Sequence, residues 1–147
     1  MRAIRKILLS VVTLLLFVQC RTTECSVVME DVDINDWSEE TTIAYTNKQT
    51  ENNYDLNIIL HVNRRFTAKQ LEFEITTMTP DSLRYSEQVT LPVSLSWENP
   101  TVVTTDIELP YRRDVTLRCE GEYTMVIAPR QSIVGVEAAG INFQMKR

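Results

Sequence analysis

The sequence predicts an all-β domain, a single antiparallel β-sandwich of about seven or eight strands, on three observations. From Val27 onward the hydrophobic pattern has a period of two and is carried by β-branched and aromatic residues. No segment sustains the apolar stripe of an amphipathic helix. Candidate strands recur roughly every dozen residues with Pro, Gly, Asp or Asn between them, a spacing that favours two packed sheets over a closed barrel.

Ahead of this domain stands a segment of a different kind. Arg2, Arg5 and Lys6 precede an almost wholly apolar run, residues 7–18, and Cys20 follows. A basic start, a run of about a dozen apolar residues and a processing site make a secretory signal, because a membrane-spanning helix needs about 20. Leu14-Leu15-Leu16-Phe17-Val18-Gln19-Cys20 has the placement of a lipoprotein box, in which the cysteine sulfur receives a diacylglycerol and becomes the new N-terminus. Gln19 departs from the small residue usual at that position. The expected organisation is a signal peptide over 1–19, a lipidated tether over 20–26 and the sandwich over 27–147. Two or three acyl chains on Cys20 would hold the protein stably to a membrane, where a single chain would not. A cut elsewhere, for instance after Cys25, leaves a free secreted domain.

Within the domain, residues 28–34 and 41–46 are weak strands on either side of Trp37. Residues 54–62 form the clearest strand: Tyr54, Leu56, Ile58, Leu60 and Val62 share one face, and of the residues between them only Ile59 is apolar. Residues 71–76 alternate cleanly, and Thr79-Pro80-Asp81-Ser82 supplies turn chemistry for a hairpin with residues 85–93. Pro92 cannot donate to a ladder and marks an edge or an end. Residues 102–109 follow, with Val103, Ile107 and Leu109 on one face, closed by Pro110 and a turn through Tyr111-Arg112-Arg113-Asp114. Residues 115–120 are short, Gly121 offers a turn position, and residues 122–128 alternate Tyr123, Met125 and Ile127 inward. The last strand, about 134–145, sets Ile141, Phe143 and Met145 against Asn142, Gln144 and Lys146.

Removing residues 1–19 leaves 128 residues, enough for one core. The remaining 12 Lys and Arg face 20 Asp and Glu, a balance of −8. That argues against nucleic acid and against electrostatic attraction to an anionic lipid surface. Lipidation of Cys20 would leave Cys25 and Cys119 as an even pair in an oxidising compartment, so they either bridge or stay free. Cys119 alternates with Val115 and Leu117, which turns it toward the core.

The signal ending in Cys20, Trp37, and Tyr54-Asp55-Leu56-Asn57-Ile58-Ile59-Leu60-His61-Val62-Asn63-Arg64-Arg65-Phe66 leading into Leu71-Glu72-Phe73-Glu74-Ile75 follow one another in order. Gly121-Glu122-Tyr123-Thr124-Met125-Val126-Ile127, Ile133-Val134-Gly135-Val136 and Ala139-Gly140-Ile141 close the chain. In the order and spacing of these pieces the chain resembles the gliding motility lipoprotein GldH family of Bacteroidetes envelopes. Leu95-Ser96-Trp97-Glu98-Asn99-Pro100 keeps a tryptophan but lacks the glycines the family tends to carry there. The resemblance implies a lipid-anchored, non-enzymatic component of an outer-membrane or other envelope machine, with other envelope proteins as partners. It implies no cofactor and no small-molecule substrate.

Catalytic readings find little in the residues. His61 is the only histidine, which removes a multi-histidine metal cluster, and the parities of His61 and Cys119 set them on opposite faces. Glu39-Glu40, Glu72 with Glu74, and Glu120 with Glu122 could pair as acid and base, but i and i+2 acids in strands share a solvated face. The run from Asp31 to Asp36 alternates oxygen ligands yet lacks the Gly and closing Glu of an EF-hand, so no metal is assigned. Trp37 and Trp97 sit among polar residues in expected loops, where they either anchor a protein or sugar interface or plug the ends of the sandwich. The adjacent cations Arg64 and Arg65 join them as interface candidates. An exposed tryptophan on a flat face would favour a carbohydrate-binding module instead.

Overall fold

The computed structural model describes residues 25–146. The signal segment 1–19 and Cys20 lie outside the described residues. Eight strands make two antiparallel four-stranded sheets packed face to face, as the alternation predicts. They are β1 (Cys25–Asp31), β2 (Thr41–Asn47), β3 (Asn53–Asn63), β4 (Gln70–Met78), β5 (Arg84–Pro92), β6 (Thr104–Thr116), β7 (Gly121–Pro129) and β8 (Val136–Lys146). The first sheet has the order β1-β8-β3-β6 and the second β2-β7-β4-β5. Among the described residues no helix is long and apolar enough to cross a membrane.

The core is built from the period-two faces. Tyr54, Leu56, Ile58, Leu60 and Val62 of β3 are all buried, opposite Phe73 and Ile75 of β4 and beside Ile141 and Phe143 of β8. Tyr45 stacks on Phe143 with ring centroids 4.0 Å apart and planes 10° from parallel. The expected hairpin is β4 paired with β5 from Leu71↔Leu91 to Met78↔Arg84.

Four expectations need correction. The domain starts earlier than Val27, because β1 begins at Cys25 and pairs with β8 from Cys25↔Gln144 to Asp31↔Ala138. Pro110 does not close a strand: β6 runs on through it to Thr116, since β6 is an edge strand and a missing N–H at an edge leaves no partner wanting. Val103 lies before β6 in the preceding loop and is 66% exposed. The centre of the outer face of the first sheet is buried rather than solvated, with Asn57 5% and Asn142 4% exposed. Both amides donate to the Glu108 carboxylate, Asn57 to Oε2 at 3.0 Å and Asn142 to Oε1 at 3.1 Å.

Two register shifts bend the β3 and β6 pairing. Leu56 faces Arg112 and Asn57 faces Pro110, so Tyr111 is an extra residue; a second irregularity lies between Tyr54 and Leu56, near Asp114, whose φ is 59°. Bulges of this kind re-aim side chains and twist a strand away from its neighbour. On the opposite edge β1 lies very close to β8 at Gly140. A Cβ there would stand 2.0 Å from the Val28 carbonyl oxygen.

The strands give the sandwich two distinct ends. Cys25, Asn53 and Lys146 share one, with the loops 48–52, 79–83 and 117–120; it is called the tether end below. The loops 32–40, 64–69, 93–103 and 130–135 form the far end.

Candidate functional site

The interface residues expected from sequence divide at the far end. Trp37 is 1% exposed and belongs to the core, so it is no interface residue. Its backbone bridges Ile133 in both directions, its Nε1 donates to Thr41 Oγ1 at 3.0 Å, and its ring lies 5.6 Å from that of Phe73. The indole plugs the end of the core because the 32–40 loop is pinned across it.

Trp97 is half-buried against the core, and Arg64 covers its ring with the guanidinium carbon 5.0 Å from the centroid. Arg64 also donates from Nε to the Val102 carbonyl at 2.8 Å and from Nη2 to the Asn99 carbonyl at 2.7 Å. Arg64 thus ties down the 97–102 part of the loop, whose start is held by the Val93 amide on the Lys69 carbonyl and by Leu95 against the core, and Val102 and Val103 stay exposed at the tip. Arg65 turns the other way, to Asn35 Oδ1 at 2.8 Å. The turn between them is set by Asn63, whose side chain accepts from the Arg65 amide and whose carbonyl accepts from Phe66. Neither indole offers an open ring on a flat surface.

Of the two alternatives for the cysteines the structure has the second: Cys25 and Cys119 are both free thiols. Cys25 Sγ donates to Asn142 Oδ1 at 2.7 Å on the outer face of the first sheet. Cys119 sits in the 117–120 loop, turned toward the core as its parity predicts. The first sheet stands between the two sulfurs.

Of the titratable candidates, His61, Glu74, Asp33 and Asp36 are engaged locally. His61 Nδ1 is 2.6 Å from Asp106 Oδ1, and its Nε2 is 3.9 Å from Glu137. Glu74 lies 3.9 Å from Arg130 on a solvated face. In the run from Asp31 to Asp36, Asp33 accepts from the Asn35 amide and Asp36 from the Ser132 hydroxyl. Among the described residues no three of His, Cys, Asp and Glu converge to hold a metal ion.

Sequence reasoning missed a cleft of about 640 Å³ between the edges of β5 and β6, toward the tether end. Leu56, Met125 and Phe143 lie at its floor, and Leu83, Tyr85 and Arg118 at its rim. Glu87 occupies an inward position of β5, in line with Val89 and Leu91, and there meets Tyr111 and Arg112 of β6. Arg112, and to a lesser extent Tyr111, hold the Glu87 carboxyl below the usual glutamate range. Burial first, and then Glu87, push the Tyr111 hydroxyl far above the tyrosine range. These three side chains clasp the two sheets on this flank. The parity of residues 85–91 put Glu87 inward from the start; reading Tyr111 and Arg112 as a turn hid their partner.

No family model, no curated protein and no solved structure matches this chain. The far end offers an exposed apolar tip on a loop held by Arg64, and the tether end an apolar and aromatic rim around a clasped cleft.

Proposed function

We propose that this protein is a non-catalytic binding subunit of a cell-envelope complex, held to a membrane by acyl chains on Cys20 and engaging its partner with the far end of the sandwich. The observation that carries the reading is the platform at residues 93–103: Arg64 and Trp97 fix the loop from beneath, and Val102 and Val103 project from it. A fixed loop loses little entropy on association, and an apolar centre on a polar surface is the usual form of a binding hot spot. The acidic loop 32–40 lies at the other flank of the same end, beyond the 64–69 loop, and suits a partner that is apolar where it meets the valines and basic further across the end. Membership of gliding machinery rests on the resemblance of the sequence to the GldH family, and so does an outer-membrane, periplasm-facing location.

The test is a photocrosslinking amino acid at position 103 in membranes of the native host. The expected product is one discrete adduct with another envelope protein, lost when Arg64→Ala releases the loop. Absence of any protein adduct at position 103 overturns the far-end assignment. The mass of the mature N-terminal peptide, from the wild type and from Cys20→Ala, decides the anchor separately.

A further inference from the structure

The net negative charge of the chain says nothing about how it is distributed, and the distribution is uneven. The described residues carry 10 Lys and Arg and 19 Asp and Glu. Divide the sandwich at the middle of its strands and count Glu74, which lies there, with its far-half partner Arg130. The half at the tether end then holds Lys48, Arg84, Arg112, Arg113, Arg118 and Lys146 against seven acids, a balance of −1. The other half holds four basic and twelve acidic residues, a balance of −8.

At the tether end Lys48, Arg84 and Arg118 have no ion-pair partner among the described residues, whereas Arg112, Arg113 and Lys146 are paired. Leu83 and Tyr85 flank Arg84 and are 49% and 58% exposed. An exposed leucine and tyrosine beside Arg84 and on the same cleft rim as Arg118, with Lys48 across the same end, form the side-chain set that settles at a lipid headgroup boundary.

Chain length adds a second constraint. Cys20 is five residues from Cys25, so it reaches no more than about 18 Å from the start of β1 even when fully extended. β6, with 13 residues, spans roughly 40 Å between the two ends. From the lipid-anchor reading proposed above, on which this step rests, we infer that the tether end docks on the membrane surface. Leu83 and Tyr85 enter the headgroup region, Lys48, Arg84 and Arg118 meet anionic headgroups, and the acidic far half is turned away from the leaflet. The expectation from net charge, that an anionic surface is avoided, then holds for one half only.

The experiment uses the full chain purified from host membranes and reconstituted in vesicles of phosphatidylethanolamine and phosphatidylglycerol, with and without brominated acyl chains. One variant carries Leu83→Trp and the other Val103→Trp, so that each end has an exposed probe above the same background of Trp37 and Trp97. Several-fold stronger quenching of the probe at position 83 than at position 103 is expected, and Tyr85→Asp should weaken it. Removing Arg84 or Arg118 as Arg→Gln should lower binding to these vesicles by about fivefold each in a chain with Cys20→Ala, where no acyl chain masks the effect. Equal quenching at both positions overturns the docking. N-terminal mass on the same samples separates the two readings: an acylated chain with equal quenching keeps the anchor and loses the docking. An unacylated chain quenched at position 83 keeps the docking and loses the anchor. An unacylated chain quenched at neither position removes both.

Discussion

Arg64 covers the ring of Trp97 while its guanidinium donates to the carbonyls of Asn99 and Val102. A planar fork can stack on an aromatic face and reach two carbonyls at once, which an ammonium cannot. Arg64→Ala is expected to cost about 1 to 2 kcal/mol, from the lost stacking and two partly exposed hydrogen bonds, and Arg64→Lys to recover little of it. Hydrogen exchange at residues 93–103 and the emission of Trp97 provide the check. Unchanged exchange in Arg64→Ala would mean that the loop is held by something else.

Gly140→Ala should be among the most damaging single-methyl additions in the domain. The new Cβ would meet the Val28 carbonyl oxygen at 2.0 Å and Met29 Cα at 2.7 Å, both backbone atoms that move only if β1 leaves β8. A loss of about 1 to 3 kcal/mol or more is expected, with the β1 amides exchanging first. Wild-type stability together with wild-type protection of β1 would contradict the close approach.

Inward and outward assignments make a sharper contrast. Leu60→Ala and Phe143→Ala empty fully buried positions and should each cost about 2 to 5 kcal/mol. Glu74→Ala removes only an exposed partner of Arg130, 3.9 Å away, and should be nearly silent. Denaturant unfolding of the three variants measures this directly; equal midpoints would refute the faces.

Acid should loosen the β5 and β6 flank. Glu87 has a folded-state pKa below its ordinary value, held there first by Arg112 and then by Tyr111. Its stabilisation is therefore complete above the ordinary glutamate range and is lost as the pH falls through the depressed folded value. Glu87→Gln should lower stability at neutral pH, where the charged clasp is intact, and approach the wild type in acid, so that the acid limb of its stability profile is flatter. Identical acid limbs in the two proteins would show that the clasp does not titrate with folding.

Much of the fold was legible because alternation is a local property. β3, β4, β7 and β8 each announced their inward faces, and Thr79-Pro80-Asp81-Ser82 announced the β4 and β5 hairpin. Pairing between distant strands was not legible, since nothing in β1 says that its partner is β8 rather than β2. Pro110 misled because proline is read as a terminator without knowing that its strand lies at an edge. Asn57 and Asn142 misled because amides are assigned to solvent, whereas here they close a face by sharing the Glu108 carboxylate. Of the candidate sites, Arg64 and Trp97 were visible as residue types but not as a contact. Trp37 could be assigned to core or interface only once its bridge to Ile133 was seen.

The placement of β1 has a mechanical consequence. Its first residue is at the tether end, its seven residues run toward the far end, and among the described residues its one ladder is the antiparallel one with β8. If a partner pulls on the 93–103 loop while Cys20 is held in a leaflet, the force runs along β1 and across hydrogen bonds that lie perpendicular to it. Those bonds are then loaded together in shear instead of being peeled open one after another. The same strand attached at its other end would unzip under a far smaller pull, so with Cys20 anchored as proposed the direction of β1 would make the joint between anchor and sandwich a strong one.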